Sequence, residues 1–290
     1  MSFLLERGGS SNLPLEVQRW QYFLRKRGIA EAGSIDAQFG LKTETATKIF
    51  QAAQGVAQTG KLDDATLRAA VALGYTDRPS NYYDDKKGSN FPTRPSTLQS
   101  PTNASRNHGL GCFRFIQLPL ANRPEAESIH ILGSCDGTIA DWEHSQIVDL
   151  PISQKVFAKG FSGHIRCHQL VAPHVQKLFQ LWDQLDLLHL VIDFEGAFNP
   201  RYMRGASPGP NPQPATQSDQ VDTLSNHAFG SAFDINVADN EFKGSPARCP
   251  ARGAVRELVK PANELGFYWG GHFSSRVDGM HFEFADFMHI

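Results

Sequence analysis

The chain has 290 residues, and its 28 lysines and arginines nearly balance its 30 aspartates and glutamates, giving a formal charge of −2. Since 40% of the residues are hydrophobic and only 20% are charged, the chain can bury a substantial core, which excludes disordered and fibrous classes. The absence of blocks of like charge argues against a nucleic-acid binder held mainly by phosphate contacts.

Residues 13–75 have the pattern of a small helical domain. Apolar residues recur at helical spacing over residues 17–24 and again over residues 43–50. Asp64 is a suitable N-cap for a third short helix that continues to Val71. Three short helices in about 60 residues can enclose a small core. The sequence therefore predicts a compact three-helix bundle over residues 13–75.

Residues 76–107 lose this apolar pattern. They contain Pro79, Pro92, Pro95 and Pro101 among serines, asparagines, aspartates and lysines. Such a composition is typical of a semi-extended, solvated linker. We therefore predict a domain boundary here, followed by a second domain over residues 108–290.

The second domain mixes helical and strand patterns. Its predicted helices lie at residues 170–188 and 255–265, and its predicted strands lie at residues 190–194, 231–237 and 281–284. Pro261 is expected to kink or interrupt the second of these helices. Four alternating prolines predict a loop over residues 205–223. Helices and strands without regular βαβ repetition favour an α+β fold.

Two further features bear on the cellular setting. Cys112, Cys135, Cys167 and Cys249 lie far apart without a CxxC pair, so we expect neither a thiolate zinc site nor a disulfide scaffold. Residues 1–9 lack a basic start followed by a long apolar stretch, which predicts synthesis in the cytoplasm without a secretory signal. No apolar run approaches the roughly 18 residues of a membrane helix, so we expect no membrane span.

Two short segments, Ser225–Asp234 and Asp278–Glu283, offer two imidazoles and several carboxylates, which are ligand types that zinc takes. His227 and Asp234 are seven positions apart, or about 10 Å along a single helix, which is too far for one ion. A turn at Gly230 followed by a strand brings both to one metal. Taken alone, a histidine near an aspartate is usually an ordinary surface or core pair, and His272 is either a loop residue or a supporting one.

The chemistry follows from the number of ligands. Three protein ligands leave one tetrahedral position open, as in catalytic rather than structural zinc sites. A carboxylate must then take a proton from the attacking water and pass it to the leaving amine. Asp278, three positions before His281, is the candidate base. His281 and Glu283 point to the same face of an alternating strand.

Ser225–Asp234 matches every fixed position of SxHxxGxAxD, so the chain resembles the M15 zinc peptidases. That family includes D-Ala-D-Ala carboxypeptidases and dipeptidases and the L-alanyl-D-glutamate endopeptidases of phage lysins. Asp278–Glu283 resembles its second motif, and Trp269-Gly270-Gly271 is similar to the endopeptidase-like branch. The resemblance implies Zn²⁺ as cofactor on a small central antiparallel sheet. It also implies the metal ligands His227, Asp234 and His281, with Asp278 as general base.

The resemblance also implies an arginine upstream of the first motif that holds substrate oxygens. Arg201 is the first choice and Arg204 the reserve, while a surface arginine is the alternative reading. Ser225 either contacts substrate or caps the turn. Glu283 is expected to orient a ligand rather than to act as a catalyst.

The N-terminal unit resembles the peptidoglycan-binding-like module of cell-wall hydrolases. The likeness rests on Asp36-x-x-Phe39-Gly40-x-x-Thr43 and on Thr59-Gly60-x-x-Asp63-x-x-Thr66, and it spans residues 13–74. These positions mostly explain turns and caps, so they imply the fold rather than the ligand-binding residues.

The two resemblances together predict a monomeric zinc peptidase that cuts the peptide stems of bacterial peptidoglycan. The bond is expected to be L-Ala-D-Glu or a nearby cross-bridge bond. Trimming of terminal D-Ala by a D,D-carboxypeptidase is the alternative. A catalytically inactive cell-wall-binding protein is the alternative of another class. Delivery to the wall is expected either by phage lysis, as for an endolysin, or as an effector carried by a secretion system.

Overall fold

A computed structural model describes residues 4–78, 91–118, 129–204 and 224–287. The helices are α1 (Pro14–Lys26), α2 (Leu41–Ala53), α3 (Asp64–Val71), α4 (Asn103–Leu110), α5 (Trp142–Gln146), α6 (Ala172–Gln184) and α7 (Arg256–Glu264). The strands are β1 (Phe113–Gln117), β2 (Ile129–Ser134), β3 (Ile147–Pro151), β4 (His164–His168), β5 (Ala232–Asp234), β6 (Phe267–Trp269) and β7 (His281–Phe284). This mixture agrees with an α+β fold. Across the described ranges, no helix combines the length and apolarity that crossing a bilayer requires.

The N-terminal domain contains the three expected helices, α1 to α3, and a short 3₁₀ turn at Ala30–Ala32. Residues of all three helices share one hydrophobic cluster around Trp20. The Trp20 ring lies 5.5 Å from the Phe50 ring, and its Nε1 donates to Thr47 Oγ1 at 2.9 Å. Asp63 caps α3 by accepting a hydrogen bond from the Thr66 backbone. These contacts fix the helices around one indole ring.

The opposite face of α1 packs directly on the second domain. Leu15 and Tyr22 belong to the hydrophobic core of that domain. The buried Gln18 amide donates to the His189 carbonyl at 3.2 Å and accepts from the Gly253 backbone at 3.3 Å. Because these polar groups are buried, each needs its partner across the boundary. The two domains are therefore joined by a packed interface as well as by the connecting chain.

The described part of the connecting segment lies against the second domain. Residues 91–101 are extended and partly exposed, as the prolines predict, but they lie along the second domain. His272 Nε2 donates to the Pro92 carbonyl at 2.9 Å, and the Phe91 ring lies 5.1 Å from the Trp269 ring. Thr102 then starts α4 through a capping box with Ser105. This stretch is therefore extended and solvent-exposed, as predicted, and in addition has aromatic and polar partners on the second domain.

The predicted strand at residues 190–194 is wrong. Leu188–Leu190 forms a 3₁₀ turn, and the residues that follow make only isolated bridges. The side-chain amide of Asn236 forms hydrogen bonds with the backbone of this segment. Its Oδ1 accepts from the backbone of Ile192 at 3.0 Å and of Asp193 at 3.2 Å. The backbone of Lys159 and Asn236 bonds the same segment, so its polar groups are satisfied by one side chain together with isolated backbone contacts.

The two long helices of the second domain lie where the apolar spacing places them. The helix expected over residues 170–188 is α6, and the one expected over residues 255–265 is α7. Pro261 lies inside α7 without ending it, so the expected interruption is wrong. Leu258, Val259 and Ala262 are fully buried in the core, and this burial offsets the cost of proline within a helix. The predicted loop at residues 205–223 lies outside the described residues.

Cys112 and Cys135 form a disulfide, contrary to the expectation from cysteine spacing. Strands β1 and β2 pair in antiparallel register, with Phe113 opposite Ser134. The residues just outside this pair are therefore brought together although they are 23 positions apart. Cys167 and Cys249 are buried free thiols.

The described strands form three small antiparallel sheets, and one of these carries the two segments singled out above. Its order is β5-β7-β6, so β7 is the central strand. Asp234 at the end of β5 lies opposite His281 at the start of β7. The sheet register thus sets two of the expected ligands side by side.

The buried His189 near the domain interface gives the fold a testable pH dependence. Burial, reinforced by Arg78 and Arg19, holds the pKa of His189 well below 6.5. Below about pH 6.5 the unfolded chain binds a proton that the folded chain refuses, so stability is complete above that pH and falls below it. We expect His189→Gln to remove up to about 1.4 kcal/mol of this loss per pH unit. Urea unfolding of both proteins at pH 7 and pH 5.5 checks this, and an equal pH dependence would contradict it.

Candidate active site

The segment that carries His227 folds back sharply before β5. Asn226–Phe229 is a single 3₁₀ turn, and the Ser225 hydroxyl caps it by accepting from the His227 backbone at 3.4 Å. Gly230 ends the turn with φ +64°, and a Cβ there would approach the His168 backbone nitrogen to 2.7 Å. Glycine is therefore required for the chain to reverse and deliver Asp234 beside His227.

Three buried side chains converge at this point. The Oδ1 atom of Asp234 lies 3.2 Å from His227 Nε2 and 2.9 Å from His281 Nδ1. The two ring nitrogens are 3.2 Å apart. All three residues are less than a tenth exposed. Among the described residues, they are the His, Cys, Asp and Glu side chains whose ligand atoms cluster closely enough for one ion.

The outer nitrogen of each imidazole already has an acceptor. His227 Nδ1 lies 3.0 Å from the Ala197 carbonyl, and His281 Nε2 lies 2.9 Å from Glu283 Oε2. When the ring protons lie on the outer nitrogens, both inner nitrogens present lone pairs toward the Asp234 carboxylate. Three electron-pair donors this close can share a metal ion or, without one, a proton.

The spacing and chemistry of these donors fit zinc. Ligand atoms about 2.0–2.2 Å from a tetrahedral ion lie roughly 3.3–3.6 Å from one another. The observed separations of 2.9–3.2 Å are within a few tenths of an ångström of that range. A carboxylate that accepts from a ligating imidazole, as Glu283 does, is the usual support of such a ligand.

The electrostatics of the cluster also call for positive charge. Burial disfavours the imidazolium, but hydrogen bonds to Asp234 and Glu283 raise the pKa of His281 to about 10. Burial likewise disfavours the ionised carboxylate, yet the two histidines hold the pKa of Asp234 well below 3.8. Burial lowers the pKa of His227 despite the nearby carboxylate. The metal-free site thus holds a proton where a bound cation would replace it.

Asp278 lies beside this cluster, at the end of the loop that precedes β7. Its backbone donates to the Gly270 carbonyl at 3.0 Å, and a Cβ on Gly270 would approach the Asp278 carbonyl to 2.5 Å. The Trp269-Gly270-Gly271 segment therefore permits the close approach of this loop. Trp269 Nε1 fastens the loop through the Gly279 carbonyl at 2.8 Å.

The Asp278 carboxylate has the surroundings of a proton acceptor. Its Oδ1 atom is buried and has no hydrogen-bond partner among the residues that the structure describes. Burial raises the pKa of Asp278 to about 6, Asp234 adds to the rise, and His281 opposes it. A base with a pKa near the operating pH is the most effective at proton transfer.

The cluster opens into a cleft of about 490 Å³ that is rich in arginine. Arg201 and Arg204 both line it, as do Asp278, His281 and Ser225. Ser225 caps the His227 turn and also lines the cleft, so its contact with substrate stays a prediction. His272 lies away from the centre, where it binds the connecting segment through Pro92.

Several lining residues are not apparent from the sequence motifs. Arg94 and Ser100 reach the cleft from the connecting segment, and Arg276 reaches it from the loop before Asp278. No spacing or motif signals Arg94 and Ser100, because their position depends on how residues 91–110 cross the second domain. Arg94, Arg201, Arg204 and Arg276 all line the cleft, which is therefore rich in positive charge.

A buried His–Asp–His cluster beside an ionisable carboxylate, open to a peptide-sized cleft, is the arrangement of a metal-dependent hydrolase. Comparison with known families agrees. Residues 219–284 match a family model described as D-alanyl-D-alanine carboxypeptidase, of the M15 peptidases, and residues 15–70 match one described as a putative peptidoglycan binding domain. The chain therefore contains a segment similar to the M15 peptidases at residues 219–284 and one similar to peptidoglycan-binding domains at residues 15–70, which together support a metallopeptidase that acts on peptidoglycan. A search of curated proteins found no match.

Proposed function

We propose that the protein is a zinc endopeptidase that hydrolyses the peptide stems of bacterial peptidoglycan, at the L-Ala-D-Glu bond or a nearby cross-bridge bond. The observation that carries this proposal is the convergence of His227, Asp234 and His281 beside Asp278, whose Oδ1 has no hydrogen-bond partner among the described residues. The cleft that they open into, at about 490 Å³, is within the usual size of a ligand site.

Each residue then has a distinct part in hydrolysis. His227, Asp234 and His281 would hold zinc, which would supply Lewis-acid polarisation of the scissile carbonyl. Asp278 takes a proton from the attacking water and delivers it to the leaving amine. Arg201 holds a carboxylate or carbonyl oxygen of the substrate through its guanidinium, which forms strong, oriented hydrogen bonds with such groups.

The distribution of arginines supports cleavage inside the stem. Removal of a terminal residue requires one anion site for the terminal carboxylate. Here Arg94, Arg201, Arg204 and Arg276 all line one cleft. Several separate cations suit a longer anionic peptide whose carboxylates lie on both sides of the cut bond.

A D,D-carboxypeptidase is the second candidate, and it is favoured by the description of the matched family. Its substrate would place a terminal carboxylate against one arginine. The inactive cell-wall-binding alternative is disfavoured by the intact set of three donors and a nearby carboxylate.

The N-terminal domain supports peptidoglycan as the partner and the cell wall as the place of action. We propose that it anchors a monomeric enzyme to the wall, with α1 fixing its position relative to the cleft through Gln18 and Tyr22. We also propose that the protein reaches the wall either by phage lysis or by delivery through a secretion system.

Digestion of purified sacculi and of synthetic stem peptides by the zinc-loaded protein tests the proposal. We expect mass spectrometry to detect fragments with a new amino terminus inside the stem, and a zinc chelator to abolish their release. Loss of a single terminal alanine would instead establish the carboxypeptidase. Failure to cleave either substrate with zinc bound would contradict both candidates.

A further inference from the structure

We propose that Ser100, in the segment between the two domains, is a positioning residue that holds the zinc ligand His281 through Glu283. This inference rests on the proposed zinc site, but it concerns residues outside the segment 219–284 that matches the peptidase family.

Glu283 is held at both carboxylate oxygens. Ser100 Oγ donates to Oε1 at 2.7 Å, while His281 Nε2 approaches Oε2 at 2.9 Å. The side-chain amide of Asn226 donates to the same Oε2. Glu283 is only 1% exposed, so water cannot substitute for these donors. The carboxylate therefore has one orientation, and Ser100 fixes the oxygen that His281 does not use.

A second contact reaches Glu283 from the same region. Arg106, on α4, donates to Asn226 Oδ1 at 2.7 Å and to the Leu224 carbonyl at 3.0 Å. This orients the Asn226 amide so that its nitrogen faces Glu283. The Glu283 carboxylate is thus supported directly by the Ser100 hydroxyl and indirectly by Arg106, which acts through the Asn226 amide.

The segment that carries Ser100 is itself fastened to the second domain. Pro92 accepts from His272, and Phe91 contacts Trp269, as described above. Pro101 and Thr102 follow Ser100 along the cleft wall. The connecting segment therefore completes the support of the metal centre in addition to linking the domains.

The orientation of the Glu283 carboxylate affects how well the His281 imidazole can bind the metal. A carboxylate that accepts from the outer nitrogen fixes the tautomer, aims the inner nitrogen at the metal and makes it a better donor. Losing such a partner typically weakens metal binding by about 10–100-fold. Ser100 acts one hydrogen bond further away, so we expect its loss to weaken zinc binding by roughly threefold to tenfold.

Ser100→Ala tests the inference directly, with Ser100→Thr as the conservative rescue and Ser96→Ala as the matched control. Ser96 lies on the same segment, is exposed and faces a different groove. Zinc affinity is measured by competition with a chromophoric chelator, and ligand geometry by the visible spectrum of the Co²⁺-substituted protein. We expect weaker zinc binding and an altered cobalt spectrum in Ser100→Ala, both recovered in Ser100→Thr and absent in Ser96→Ala.

Thermal unfolding of the metal-free proteins distinguishes an effect on the metal site from an effect on stability. We expect Ser100→Ala to unfold at the same temperature as the wild type. If it folds poorly, Ser100→Cys, which retains the side-chain volume, replaces it. Wild-type zinc affinity and cobalt spectrum in Ser100→Ala would overturn the inference, and so would an equal loss in Ser96→Ala. Absence of peptidoglycan cleavage by the zinc-loaded wild type would overturn the proposed function alone, since the zinc measurements need no substrate.

Discussion

Replacing Asp278 with asparagine is expected to lower kcat by roughly 10²–10⁴-fold while the protein still binds zinc. Asparagine keeps the shape of the side chain but cannot accept a proton. Asp278 is the carboxylate to test because its Oδ1 is buried without a hydrogen-bond partner in the described part of the chain, and burial raises its pKa to about 6. Steady-state kinetics on a stem peptide, together with the zinc content of the variant, measure the effect.

The matched control is Asp149→Asn, which removes an exposed carboxylate on β3. We expect its kcat and KM to equal those of the wild type. Near-complete activity in Asp278→Asn would exclude Asp278 as the base. A loss of activity that follows a loss of zinc would show that Asp278 supports the metal site instead.

The metal cluster is the part of the molecule that local sequence describes best. The spacing of His227, Gly230 and Asp234 restricts the chain to a turn followed by a strand, and the structure has a 3₁₀ turn, a left-handed glycine and β5. The pairing of β5 with β7 is not local, but both strands are short and their apolar residues alternate in register. The local geometry of residues 225–234 can therefore be predicted from the sequence and from the steric rules for turns and strands.

The walls of the cleft could not be predicted in the same way. Arg94 and Ser100 lie in a proline-rich stretch whose composition is that of a solvated linker, and their positions depend on contacts with Trp269 and His272 far along the chain. Composition indicates that such a stretch will not form a regular element, but it does not indicate which surface the stretch will cover.

Two other differences have the same origin. The Cys112–Cys135 disulfide depends on the pairing of β1 with β2, and the extended residues 190–194 are held by the Asn236 side chain and by isolated backbone contacts to Lys159. In each case the partner is a group far away along the chain, and local sequence patterns do not show it. Tertiary contacts therefore decide these features over local propensity.

Replacing Asp234 with asparagine is expected to have the largest effect on zinc itself. Asp234 is the one anionic group of the three, and its Oδ1 contacts both histidines, at 2.9 and 3.2 Å. Asparagine fills the same space without the charge that offsets the cation. We expect zinc affinity to fall by more than the roughly 10–100-fold that losing an outer hydrogen-bond partner costs, and activity at stoichiometric zinc to disappear.

Zinc titration followed by activity distinguishes this variant from Asp278→Asn, because the two residues limit different steps. Excess zinc should restore part of the activity of Asp234→Asn, since weak binding is overcome by mass action. It should leave Asp278→Asn unchanged, since a missing proton acceptor is not replaced by more metal. Retention of one tightly bound zinc by Asp234→Asn would contradict its role as a ligand. Equal rescue of the two variants would show that both residues act through the metal, and Asp278 would then lose its assignment as the base.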